Sequence, residues 1–225
     1  MKRFLFYLLI ILFGACTVKQ ESQIEIKPAE QNFCSVFSDN LLTLAKEDPY
    51  FFFEVDKNRF LPASYTPADL LGQGKSAVRK STYDAFDKMA KAAKKEGIKL
   101  FILSGFRSYA RQEYLFNRSL KTKGLEHANK YVARAGSSQH QLGTAIDINS
   151  VDISFENTEE YAWLTKNAGD FGFSLSFPKG QEEKTGYAFE PWHYRYITPE
   201  GVTLQKQYFN DSQVDFLDAL NACLK

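Results

Sequence analysis

A proline sets the strongest constraint on how this chain can fold. In Glu190-Pro191-Trp192-His193, Pro191 biases Glu190 towards extended backbone, so the glutamate and the histidine cannot share a helical turn as in a helix-borne zinc motif. They belong on a loop entering a strand. Any partner for His193 must then come from across a sheet or from a separate turn, and the chain has few to offer: it contains three histidines and three cysteines. Repeated cysteine pairs for a structural zinc module are missing. With 44% hydrophobic and 15% aromatic residues in 225, the chain can bury a sizeable core. Its 28 basic and 27 acidic residues leave a net charge of +1, so no basic field exists to hold a nucleic acid.

The amino terminus reads as a targeting segment. Lys2 and Arg3 precede an apolar run from Phe4 to Phe13, too short to span a bilayer, and Gly14-Ala15 are the small residues expected before a cleavage point. Cys16 follows directly, so residues 1–16 resemble a bacterial lipoprotein signal whose cysteine becomes the lipid-bearing N-terminus. Phe13 is bulkier than the aliphatic residue usual there, and an ordinary cleaved signal with an incidental cysteine is the alternative. Both readings take the mature chain to the cell envelope. Residues 17–31 are polar and aperiodic, a tether, and residues 32–225 form the domain. Cys34 and Cys223 lie near opposite ends of it; a disulfide between them and two buried free thiols both fit.

Along the domain, Thr66-Pro67-Ala68-Asp69 carries a cap and a first-turn proline for a helix. Ser76 to Glu96 reads as a long amphipathic helix stopped by Gly97. Ile98 to Leu103 reads as a buried strand, and Ser108 caps a helix to about Lys121, followed by a weaker one over Glu126 to Arg134. Gly143 to Asn149 alternates, with Ala145, Asp147 and Asn149 on one strand face and Ile146 and Ile148 on the other. Asn157 with Glu160 suggests a capping box for a helix over Tyr161 to Ala168. Phe171 to Leu175 and Tyr187 to Ile197 are β-rich, joined by a hairpin-like stretch, and Ser212 to Leu224 reads as a terminal helix. The expectation is a single α+β domain with an antiparallel sheet and flanking helices.

Chemistry concentrates in three blocks: Ser104-Gly105-Phe106-Arg107 with Gln112; Ser138 to Asp147; and Glu190 to Arg195. A catalytic zinc site needs about three protein ligands and an open position. His140, Asp147 and His193 supply that set. Glu190, outside it, is the candidate general base for a water whose pKa the metal lowers to around 7. Arg107 on a strand-to-helix turn can pair with the terminal carboxylate of a peptide. His127 lies among polar helix residues and is assigned to a solvated face.

The pattern Ser138-x-His140-x-x-Gly143-x-Ala145-x-Asp147, with Glu190-x-x-His193 and Ser104-Gly105-Phe106-Arg107 plus Gln112, resembles the VanY-type zinc D-alanyl-D-alanine carboxypeptidases of peptidase family M15. The likeness runs from about Leu61 to Ile197. It implies the fold shared with the hedgehog signalling domain, one Zn2+ per chain, and cleavage of peptidoglycan stem peptides; a monomer is the expected state. By position it makes His140, Asp147 and His193 the metal ligands, Glu190 the base, and Arg107, Gln112 and Ser138 substrate contacts. The motifs do not separate D,D-carboxypeptidases from L,D-carboxypeptidases acting on tetrapeptides. A zinc-bound domain that only holds muropeptide is a further alternative, which the retained Glu190 opposes. Relatives commonly carry Arg-Tyr-Pro where this chain has Ser176-Phe177-Pro178, leaving no arginine there for substrate. A rival reading pairs Ser176-x-x-Lys179 with Lys184-Thr185-Gly186, as in serine penicillin-binding enzymes, but Pro178 opposes the helical turn that this chemistry needs.

Overall fold

Alternation along two short strands decides which side of the sheet is core and which is site. In the computed structural model, which describes residues 33–225, the strand Ala145–Ile148 buries Ile146 and Ile148 in the main hydrophobic cluster and turns Asp147 the other way. Residues 1–32, and with them the proposed signal, Cys16 and the whole tether, lie outside the described part.

The elements in chain order are helix α1 (Asp39–Glu47), strands β1 (Leu70–Leu71) and β2 (Val78–Arg79), helix α2 (Lys80–Lys95), strand β3 (Ile102–Ser104) and helix α3 (Tyr109–Tyr131). Strand β4 (Ala145–Ile148), helix α4 (Glu159–Asn167), strand β5 (Phe173–Leu175), a short helix α5 (Glu182–Thr185), strand β6 (His193–Tyr196) and helices α6 (Pro199–Tyr208) and α7 (Gln213–Ala222) complete it. The main sheet has the order β3-β4-β6-β5, antiparallel throughout, and β1 and β2 form a separate hairpin. Helix α2 packs Ala85, Phe86, Met89 and Ala93 against Ile146, Ile148, Phe173 and Tyr194 of the sheet, with Trp163 and Leu164 of α4 closing the same core. The α+β class and the antiparallel sheet expected from sequence are present.

Several boundaries differ from the sequence expectation, each for a local reason. Thr66 to Asp69 is not helical, and α2 starts at Lys80 rather than Ser76 because Val78 and Arg79 pair with Leu70 and Leu71 instead. Arg79 also donates its backbone N–H to the Gly143 carbonyl. The expected pair of helices over residues 108–134 is present within α3: Ser108 caps the first as anticipated, and Gly124, whose φ of 85° a residue with a Cβ rarely adopts, separates it from the second. Thr158, not Asn157, caps α4, its side chain accepting from the Tyr161 N–H. The connection from β5 to β6 is a long excursion containing α5 rather than a tight hairpin. Helices α1 and α6 escaped the sequence reading, although Ser38 and Thr198-Pro199 carry ordinary start signals. Cys34 and Cys223 are joined in a disulfide, which decides the question their positions left open.

Candidate metal centre

The site is assembled on the sheet face opposite the core. In the register of β4 and β6, Asp147 pairs directly with His193, so both side chains rise side by side from the same face. His140 arrives from a 3-10 turn, Gln139–Leu142, that the sequence reading had not assigned. Gly143 ends that turn with φ 72°, and a Cβ there would meet Arg79 Cγ at 2.8 Å. The three residues form a buried group whose potential ligand atoms all lie within 4.8 Å of one another.

Hydrogen bonds fix which nitrogen of each ring faces inward. His140 Nδ1 lies 2.7 Å from the Gly105 carbonyl oxygen, which can only accept, so this nitrogen carries the proton and Nε2 is left as a lone pair. His193 Nε2 likewise meets Gln139 Oε1 at 3.0 Å, leaving Nδ1 free of a proton. These two inward nitrogens lie 3.3 and 3.2 Å from the two carboxylate oxygens of Asp147. Those separations put all three side chains within reach of one ion, whose bonds to nitrogen and oxygen run about 2.0–2.2 Å. Asp147 Oδ1 is buried without a hydrogen-bond partner among the described residues. Three electron-pair donors therefore face one another in a water-poor space, an arrangement that repels itself unless a cation lies between them. Burial pushes the Asp147 carboxyl up, but positive charge on the two neighbouring rings outweighs it and holds the group well below the usual carboxylate range, so the carboxylate favours a cation beside it, whether a proton on an inward nitrogen or an ion. The donor set thus fits zinc by its chemistry, its geometry and its orphaned oxygen.

Around this group lies an open pocket of about 830 Å³ that reaches Arg107, Gln112, Ser138 and Glu190. Glu190 Oε2 is 3.5 Å from His193 Nδ1, with one fifth of the side chain exposed. Burial pushes its carboxyl up to about 7, reinforced by Asp147 and opposed by His193 and Arg107. Arg107 donates to Gln112 Oε1 at 2.9 Å and to Ser104 Oγ at 3.2 Å, and approaches Asp147 Oδ2 to 3.8 Å. Burial lowers the Arg107 pKa, with the Asp147 and Glu190 charges opposing that shift. Gln112, expected as a substrate contact, lines the same pocket, and its other amide end donates to the Ala133 carbonyl at 2.5 Å. Ser138 is buried in the pocket wall.

His127 is outside the ligand group, as expected, but it is half-buried rather than solvated: Nδ1 lies 3.2 Å from Ser119 Oγ, and the ring borders the pocket. The serine-enzyme reading fails on geometry. Ser176 is buried with its hydroxyl on Gln213, whereas Lys179 reaches Glu156 and Lys184 reaches Asp215. Gly105 and Gln139 lie inside the blocks singled out from sequence, but their role in orienting the two rings was not assigned, because neither a backbone carbonyl nor a neutral amide announces its partner. Gly105 is required sterically as well, since a Cβ there would lie 2.3 Å from the Ala77 carbonyl oxygen.

Three potential metal-ligand atoms, two from adjacent strands and one from a turn, thus meet beside an unshared carboxylate and an arginine at the wall of one open pocket, a donor set for a single metal ion. The chain belongs to the VanY D-alanyl-D-alanine carboxypeptidase family, whose model matches residues 75–199. It is 39% identical over 159 residues to YodJ of Bacillus subtilis (strain 168), an alignment spanning 64% of this chain and 58% of that protein. Among solved structures, the LdcB LD-carboxypeptidase superposes with TM-score 0.70 at 33% identity, covering 76% of this chain and 88% of that one. A mutant of the vancomycin-resistance D,D-pentapeptidase VanY, solved in complex with Zn(II), superposes with TM-score 0.63 at 29% identity, covering 75% of this chain and 99% of that one. No helix among the described residues is long and apolar enough to cross a membrane.

Proposed function

We propose that this protein is a zinc-dependent carboxypeptidase that removes the terminal D-amino acid from peptidoglycan stem peptides ending in D-Ala-D-Ala. The observation that carries the reading is the trio of inward lone pairs on His140 Nε2, Asp147 and His193 Nδ1, with Glu190 beside them but not needed to complete the set. The family description and the Zn(II) complex of VanY support it.

His140, Asp147 and His193 would hold the ion. Zinc bound there supplies Lewis acidity, lowering the pKa of water and polarising a carbonyl. Glu190 accepts the proton of the attacking water and returns it to the departing amine, a task that suits a carboxylate shielded from bulk water. Arg107, pre-aimed by Gln112 and Ser104, pairs with the terminal carboxylate of the substrate, which makes the enzyme an exopeptidase. Ser138 contacts the peptide from the pocket wall, and Gln112 acts through Arg107. The N-terminal pattern supports export to the cell envelope by residues 1–16, a lipid anchor on Cys16, and a tether over residues 17–31 ahead of a monomeric domain.

The test is mass analysis of synthetic pentapeptide and tetrapeptide stems after incubation with the protein, with and without a chelator. Loss of one D-alanine from the pentapeptide, abolished by chelation and by Glu190→Ala while zinc stays bound, is the expected result. Cleavage of the tetrapeptide alone would reassign the enzyme as an L,D-carboxypeptidase. Binding without cleavage would make it a muropeptide-holding domain.

A further inference from the structure

The family match ends at residue 199, yet the side chain that closes the network behind His193 lies beyond it, at the start of α7. Gln213 is buried. Its Oε1 accepts from Gln139 Nε2 at 3.4 Å and from Ser176 Oγ at 3.2 Å, and its Nε2 donates to the Ser174 carbonyl at 3.4 Å. Gln139 Oε1 in turn accepts from His193 Nε2 at 3.0 Å.

The direction of this chain is imposed from its far end. A backbone carbonyl can only accept, so Ser174 turns the Gln213 amide to point its NH2 outward and its oxygen towards Gln139. Ser176, at the position where relatives commonly carry arginine, adds a hydroxyl donor to the same oxygen. An oxygen facing Gln139 draws the Gln139 NH2, which leaves the Gln139 oxygen for His193 and puts the ring proton on Nε2. Were the Gln139 amide reversed, its NH2 would face Nε2 and the proton would move to Nδ1, which then has no lone pair for a metal. Gln139 and Ser176 are also buried, so water cannot readily substitute for a missing link.

We propose that Gln213 is a positioning residue that sets the tautomer of His193, through Gln139, so that Nδ1 is presented to the metal. The proposal rests on the reading of His193 as a ligand. Its test is zinc affinity by chelator competition, together with the ring 15N signals of His193 in metal-free protein, which report which ring nitrogen carries the proton. Gln213→Met keeps the length and removes the polar ends. It is expected to weaken zinc binding about 10-fold and to convert the Nε2–H tautomer into a mixture. Gln139→Leu is expected to weaken binding at least as much, and the double variant no further than Gln139→Leu alone, because the two residues act in series. Leu164→Ala, a core change in α4 away from the network, is expected to keep the parent affinity. An unchanged tautomer in Gln213→Met, additive losses in the double variant, or an equal loss in Leu164→Ala would overturn the proposal. Full zinc affinity in His193→Ala would overturn the ligand assignment and this inference together, a result distinct from the other three.

Discussion

Asp147 and His193 stand opposite each other on adjacent antiparallel strands, with Oδ1 and Nδ1 3.2 Å apart. The register of the sheet and the integrity of the site are therefore one condition. A slip of one residue in β4 would bring Asp147 to the face packed by α2, and burial of Ile146 and Ile148 prevents it. Asp147→Asn should fold, because the amide preserves shape, but should lose the charged ligand. The parent should gain about 2.7 kcal/mol from zinc at a hundred times its dissociation constant, whereas the variant gains little. Thermal unfolding with zinc and with chelator reads this directly, and equal zinc stabilisation of both proteins would exclude Asp147 as a ligand.

Arg107 is held between Gln112 and Ser104, so the anchor is rigid before substrate arrives. Gln112→Leu should release one side of the guanidinium and cost about 1–3 kcal/mol of transition-state binding, roughly a 5- to 150-fold fall in kcat/KM, felt chiefly in KM. Arg107→Ala should cost more. A stem peptide with an amidated C-terminus offers no carboxylate, and on it the Arg107→Ala variant and the parent should be equally slow. A large difference on the amide would mean that Arg107 acts on something other than the terminal carboxylate.

Much of this site was legible because scarce residue types stood in dense polar blocks. With three histidines in the chain, His140 and His193 were few enough to examine singly, and strand alternation placed Asp147 opposite the core isoleucines before any coordinates. What escaped was long-range or chemically neutral. The partner of Gln139 on one side is His193 and on the other Gln213, and no local pattern announces either contact. The start of α2 was misplaced because Ser76 satisfies the local rules for a cap, while pairing of Val78 and Arg79 with β1 is a tertiary choice. Asn157 and Thr158 are adjacent residues with nearly equal capping chemistry, so only the backbone could decide between them.

Glu54 gives the fold a pH dependence separate from catalysis. Its carboxylate is buried 3.6 Å from Arg195 Nη1, while Arg195 Nη2 donates to the carbonyls of Phe51 and Phe53. Burial pushes Glu54 from an ordinary 4.5 up to about 7, with Asp218 and Asp56 reinforcing and Arg195 and Arg59 opposing. The folded state thus binds this proton more tightly than the unfolded chain. Its favourable contribution is complete below about 4.5, shrinks as pH rises, and is gone above about 7. Glu54→Gln should remove that decline, giving a flatter dependence of unfolding free energy on pH across the same window. An identical slope in parent and variant would assign the dependence to another group.

The disulfide between Cys34 and Cys223 ties the end of α7 to the first turn of the described domain across a sequence separation of 189 residues. Closing so long a loop restricts the unfolded chain far more than the folded one, in which Phe216, Leu217 and Leu220 already bury α7 in the core. Cys223→Ser should therefore lower stability by about 2–5 kcal/mol, measured by denaturant unfolding. Reductant should destabilise the parent by a similar amount and leave the variant unmoved. Because those apolar contacts keep α7 seated at Gln213, zinc affinity under native conditions should survive the loss of the bond. A reduced protein that unfolds at the parent midpoint would show that the cross-link contributes nothing to stability, and one that stays folded but sheds zinc would show that α7 leaves its seat without it.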